Sequence, residues 1–159
     1  MTDKPHPGMY FEFFNEIGII NQLARAMLEK KLPAEMTVHQ FTVINHLLRV
    51  RDGQTPLFLS RAFQVPKTTM SHTLSGLEKR DLIRLGPNPE DGRSKCVWIT
   101  DKGRAVLAGV FEKMGPEIPR LMEHLPLDAV AAVLPQLNEI RKIMDAMRDN
   151  EPDEGASGG

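Results

Sequence analysis

Two prolines, Pro56 and Pro66, do most to limit what this chain can fold into. Proline breaks a helix interior but suits its first turn, where the missing N–H has no intrahelical partner anyway. Thr55 supplies a capping hydroxyl, so Thr55-Pro56 predicts a helix start, with Leu59, Ala62 and Phe63 as the buried face. Pro66 predicts a second start, for a helix reaching about Arg80. Only Gln64-Val65 separates the two segments. Two short helices joined by so few residues have the geometry of a helix-turn-helix.

The flanking segments follow from periodicity. Phe13, Ile17, Ile20, Ala24, Met27 and Leu28 recur at helical spacing, predicting a helix over 8–32 that ends before Pro33. Thr37 caps the next helix, which places Phe41, Ile44, Leu47 and Leu48 on one face and stops at the Asp52-Gly53 breaker. After Asp81 the pattern shortens. Residues 82–85 are apolar, 86–94 are rich in Gly, Pro, Asn and Asp, and 95–99 are β-prone, which predicts a hairpin with a long loop. Thr100 caps a helix over 101–114, with Asp101 in the first turn where the dipole favours an acid. Gly115-Pro116 and Pro119 interrupt the pattern before it resumes to Leu125. A last helix is expected over 127–147, kinked at Pro135. The fold class is mainly α with a small β-hairpin wing.

The helix opened by Pro66 has two unlike faces. Met70, Thr73, Leu74 and Leu77 form a core stripe, and Lys67, Thr68, Ser71, His72, Ser75 and Lys79 lie opposite. No acid stands between Pro66 and Glu78, whereas a merely solvated face mixes signs. Cations can meet phosphates, and short hydroxyls and imidazole can hydrogen-bond base edges, so this face suits a DNA major groove. Over 55–104, nine Lys/Arg outnumber five acids, so a basic middle sits between acidic flanks although the whole chain carries only −1. Arg93 and Lys95 fall near the hairpin tip, where a guanidinium can enter the minor groove. Asp91, two residues before Arg93, is expected to hold it by a carboxylate fork. Taken singly, the helix face also reads as a solvated surface and the hairpin as a decorated loop; their order within one short segment makes a winged helix.

That order carries a family likeness. The run FLSRAFQVPKTTMSHTLSGLEKRDLIRLGPNPEDGRSKCVWITDKGRAVL resembles the DNA-binding region of the multiple antibiotic resistance regulator (MarR) family, most of all in LEKRDLI, DGRSK and WITDKGRAVL. Upstream, MTVHQFTVINHL is similar to that family's second helix, and the likeness covers about residues 11–147. It implies a winged helix-turn-helix with N- and C-terminal dimerisation helices: 8–34 and 116–148 as the helical dimerisation region, 35–115 as the DNA-binding domain, 149–159 as a disordered acidic tail. By position it assigns DNA contacts to Lys67, Thr68, Thr69, Ser71, His72, Ser75, Lys79, Arg93 and Lys95, with Asp91 supporting the wing. It implies a homodimeric repressor of a palindromic operator, released by a small aromatic or acidic effector. The ligand pocket would be lined by Phe13, Ile17, His39, Phe41 and His46. The sequence departs from the family pattern at Pro66, where a Ser or Thr cap is usual, and at His72 and Gly76, where cations are common. Asp81 replaces a usual glycine. The alternative is a winged-helix protein-interaction module with weak or no DNA binding.

Other classes find little support. A single cysteine, Cys96, excludes an internal disulfide and a Cys-cluster zinc site. No apolar run approaches the roughly 20 residues of a membrane helix, so no membrane partner and a cytoplasmic location are expected. There is no phosphate-cradling glycine loop, metal-ligand cluster or activated nucleophile, so no enzyme, catalytic residue, metal or cofactor is expected.

Overall fold

The computed structural model describes residues 6–150. The elements run α1 (Pro7–Glu29), α2 (Val38–Arg49), α3 (Pro56–Ala62), α4 (Lys67–Lys79), β1 (Ile83–Pro87), β2 (Lys95–Ile99), α5 (Asp101–Met114), α6 (Glu117–His124) and α7 (Leu127–Asp149). Of the expected tail 149–159, Asp149 instead closes α7 and Asn150 caps it, and the rest, from 151 onward, lies outside the described residues. Two compact units divide the chain, Met1–Met114 and Gly115–Gly159.

Local chemistry sets the helix starts in the first unit. Thr37 Oγ1 accepts from the Gln40 N–H at 3.1 Å while Gln40 Oε1 accepts from the Thr37 N–H at 3.2 Å, a closed capping box. Thr55 Oγ1 accepts from the Phe58 N–H at 3.2 Å, and Thr100 Oγ1 from the Gly103 N–H at 3.0 Å. Pro66 is the N-cap of α4 rather than its first helical residue, with an extended ψ of 148 and no side-chain cap.

These helices close around one core. Phe41, Val43, Ile44 and Leu47 of α2, Leu59 of α3, Met70, Leu74 and Leu77 of α4, Ile83, Val97 and Ile99 of the hairpin, and Leu107 and Val110 of α5 are all buried in it. Each such side chain contributes about 1.5–3 kcal/mol relative to exposure. The expected buried face of α3 is only partly realised. Leu59 is buried, but Ala62 and Phe63 are half-buried, and Ser60 goes inside instead with its hydroxyl donating to the Leu57 carbonyl at 2.8 Å. A two-turn helix cannot bury a full stripe, and the back-bond satisfies the serine where it enters.

The hairpin is longer than the sequence suggests. β1 and β2 pair antiparallel from Ile83↔Ile99 to Pro87↔Lys95, so Gly86 and Pro87 belong to the strand rather than to the loop. Pro87 is tolerated at the strand's end, where its missing donor costs no ladder bond. Gln54 adds a single bridge to Val97 on the other edge of β2.

In the second unit α7 continues through Pro135, and no residue of α6 or α7 is buried. Among the described residues no helix is long and apolar enough to cross a membrane.

Candidate nucleic-acid interface

The exposed face of α4 is built as the helical period dictates. Met70, Thr73, Leu74 and Leu77 point into the core, and Lys67, Thr68, Thr69, Ser71, His72, Ser75 and Lys79 are all exposed. Thr73 hides its hydroxyl by donating to the Thr69 carbonyl at 3.0 Å, so the polar atom on the core side is satisfied. A chain reversal through Gln64, at φ 52, sets α3 against α4, and the Val65 N–H returns to the Ser60 carbonyl at 3.0 Å.

Gly76 has a packing reason. A Cβ there would lie 2.7 Å from Nε2 of Gln40, the residue that closes the α2 capping box. A side chain at this position would make the Gln40 amide shift, so α2 and α4 pack closely here.

The wing loop is ordered from within. Asn88 Nδ2 donates to Ser94 Oγ at 2.8 Å and its Oδ1 accepts from the Glu90 N–H at 3.0 Å. Asp91 differs from expectation. Its Oδ1 accepts from the backbone N–H of Arg93 at 2.9 Å, an Asx turn, rather than forking the guanidinium. The turn is local and costs little side-chain entropy, whereas an exposed ion pair gains little. Arg93 and Lys95 are both exposed, and among the described residues Arg93 has no ion pair. The wing tip therefore presents two cations with their charge available.

On the outer face of the hairpin Trp98 lies over Gly53, whose φ of +73 and lack of Cβ both matter: a Cβ would stand 2.7 Å from ring atom Cζ3. The Arg84 guanidinium stacks 5.6 Å from the indole centroid. Asp52, at the turn before α3, accepts from the Ile99 N–H at 3.0 Å and from Arg104 Nη2 at 3.2 Å. The sequence marks Asp52-Gly53 only as a breaker, and nothing local announces either partner.

The five ligand-pocket candidates fall in two places. Phe13 and Ile17 are half-buried on α1. Phe41 is a core residue, edge-on to Phe111 at 6.0 Å. His39 and His46 share a face of α2 and clamp one ring: Phe63 stands edge-on to both, at 5.7 and 5.3 Å. His46 Nε2 also bonds Gln54 Oε1 at 2.9 Å, and His39 Nε2 is buried without a hydrogen-bond partner. Burial, and secondarily the charge of Arg25, hold the His39 pKa below its ordinary value. Both histidines are half-buried. A cavity of about 280 Å3 opens between the 51–55 turn, Phe58 and the wing, and none of the five lines it.

Residues 34–94 match the MarR family model. The chain is 28% identical to the transcriptional regulator HosA of Escherichia coli O111:H- over 98 residues, 62% of this chain and 71% of that protein. It is 27% identical to the multiple antibiotic resistance protein MarR of Salmonella typhimurium over 131 residues, 77% of this chain and 90% of that one. Its fold is similar to that of a MarR mutant from Escherichia coli crystallised with operator DNA, with a TM-score of 0.68 at 23% identity, covering 86% of this chain and 99% of that one.

Proposed function

We propose that this chain, whose residues 34–94 match the MarR family of transcriptional regulators, acts as a homodimeric repressor of a palindromic operator and leaves it on binding a small ligand. One observation carries the reading. The exposed face of α4, without an acid from Lys67 to Leu77, and the two available cations of the wing belong to one compact unit. In this reading Lys67, Thr68, Thr69, Ser71, His72, Ser75 and Lys79 read or flank a major groove. Arg93 enters the minor groove beside it, Lys95 meets a phosphate, and Asp91 shapes the loop that carries them.

The dimer is supported by apolar surface that the chain leaves uncovered. No residue of α1, α6 or α7 is buried, and Tyr10, Phe11, Ile20, Leu23, Leu134 and Ile143 are among the large apolar side chains exposed on them. Surface of this extent on a water-facing helix calls for a partner, and a second copy supplies it. We assign 8–34 and 116–148 to dimerisation and 35–115 to DNA binding. Two-fold symmetry then sets the recognition helices about 34 Å apart, in successive major grooves. A small aromatic or acidic effector, held near Phe13, Ile17, His39, Phe41 and His46, would favour a lobe spacing that no longer fits. Such a regulator works in the cytoplasm.

Light scattering and anisotropy titrations on the DNA upstream of the chain's own gene test the proposal. A stable dimer is expected, with binding that weakens steeply as salt rises. A monomer, or binding indifferent to salt, would point instead to a protein-interaction module. A thermal-shift screen of small aromatic acids tests the effector, which should raise the melting temperature and release DNA.

A further inference from the structure

We propose that Asp52 is a positioning residue for the wing, its carboxylate standing in for a strand carbonyl that the chain does not supply. One edge of β2 pairs with β1, and the other meets the turn before α3. On that second edge the Gly53 N–H donates to the Val97 carbonyl at 3.0 Å and the Val97 N–H to the Gln54 carbonyl at 2.8 Å. The next N–H facing this way belongs to Ile99. By then the chain has turned off at Gly53, φ +73, so no backbone carbonyl reaches it. Asp52 Oδ1 accepts from it at 3.0 Å, and the same oxygen accepts from the Gly53 N–H at 3.0 Å. Oδ2 takes the Arg104 guanidinium at 3.2 Å. One carboxylate thus joins the entry to the helix-turn-helix, the base of the wing and the first turn of α5.

The role is geometric rather than a source of stability. The Asp52 and Arg104 side chains are 26% and 46% exposed, and an ion pair so open to water is worth little by itself. Its leverage is larger. Lys95 lies at the far end of β2 from Ile99, about 13 Å along the strand at the usual rise per residue. A tilt of about ten degrees at the anchored end moves the tip by about 2 Å, enough to lose a hydrogen bond. Arg93 lies beyond Lys95, so Asp52 and Arg104 decide where both cations are held.

This inference rests on the DNA-binding reading for its consequence and not for its geometry, and two measurements keep them apart. The variants are Arg104→Met, which keeps the aliphatic stem, Asp52→Asn, which keeps an acceptor but not the charge, and Arg104→Lys as the conservative replacement. In the free protein, amide exchange at Ile99 should rise about tenfold in the first two variants, while Leu47 and Leu74 in the core stay protected and melting shifts little. On a labelled fragment carrying the region upstream of the gene, the same two should bind about tenfold more weakly. Arg93→Ala should then cost far less in the Arg104→Met background than in the parent, and Arg104→Lys should recover most of the affinity. Unchanged exchange at Ile99, or full additivity of Arg104→Met and Arg93→Ala, overturns the proposal. If the parent binds no DNA, the functional reading fails, and the exchange measurement alone decides the role of Asp52.

Discussion

The Thr100 hydroxyl donates to the Asp81 carbonyl at 2.6 Å, across the corner where α4 gives way to the wing, and also accepts from the Gly103 N–H at 3.0 Å. One side chain closes the corner and caps α5. Thr100→Val keeps the shape and removes both bonds, and should destabilise the protein by about 1–3 kcal/mol. A lower urea midpoint with an unchanged slope is the expected signature.

Asp81 itself sits at φ 57, a conformation that costs a non-glycine residue energy. Asp81→Gly should stabilise by about 0.5–1 kcal/mol. The exposed contact to Lys102 that it removes, 3.7 Å long, should subtract little. A fall in melting temperature would contradict this.

Gly103 is the opposite case. A Cβ there would run into the Leu82 carbonyl oxygen and stand 2.9 Å from Ile99 Cγ1, because the first turn of α5 rests directly on the backbone before β1. Gly103→Ala should lower stability by about 1–3 kcal/mol despite alanine's better helix propensity. Denaturant unfolding of this variant beside Gly109→Ala, where a Cβ meets nothing within 4 Å, provides the control.

Lys67 and Arg93 should fail differently. Lys67→Ala should weaken DNA binding about equally for all sequences and reduce the slope of log K against log salt by about one. Arg93→Ala should cost about tenfold or more on a site with a narrow A·T-rich minor groove and less elsewhere. Titrations on two fragments at three salt concentrations separate the two.

His39 makes stability depend on pH with a definite sign. Its folded-state pKa lies below the ordinary 6.5, so the unfolded chain takes up the proton first. The stability it contributes is present above pH about 6.5 and is lost as pH falls through that value toward the folded pKa. His39→Gln should flatten this part of the curve. Unfolding midpoints at pH 8 and pH 5.5 for parent and variant measure the difference, and equal slopes would exclude His39 as the source.

The helix order was legible because its signals are local. Thr37, Thr55 and Thr100 cap within three residues, and the burial of Met70, Leu74 and Leu77 follows from the helical period alone. The reach of β1 to Pro87 was not legible, since it depends on pairing with Lys95 across the loop. Nor was the role of Asp91: a carboxylate two residues before an arginine can serve its backbone or its guanidinium, and the turn conformation chooses.

What the sequence by itself determined is where α2, α3, α4 and α5 begin, which face of α4 stays polar and which end of the hairpin is basic, because capping, proline and periodicity act over a few residues. Only the tertiary structure decided that Gly76 makes room for Gln40, that His39 and His46 clamp Phe63, and that Asp52 anchors the wing. Asp52 and Ile99 are 47 positions apart, and Asp52 and Arg104 are 52. A hydrogen bond over such a separation exists only after the core has brought its ends together, so no local pattern encodes it.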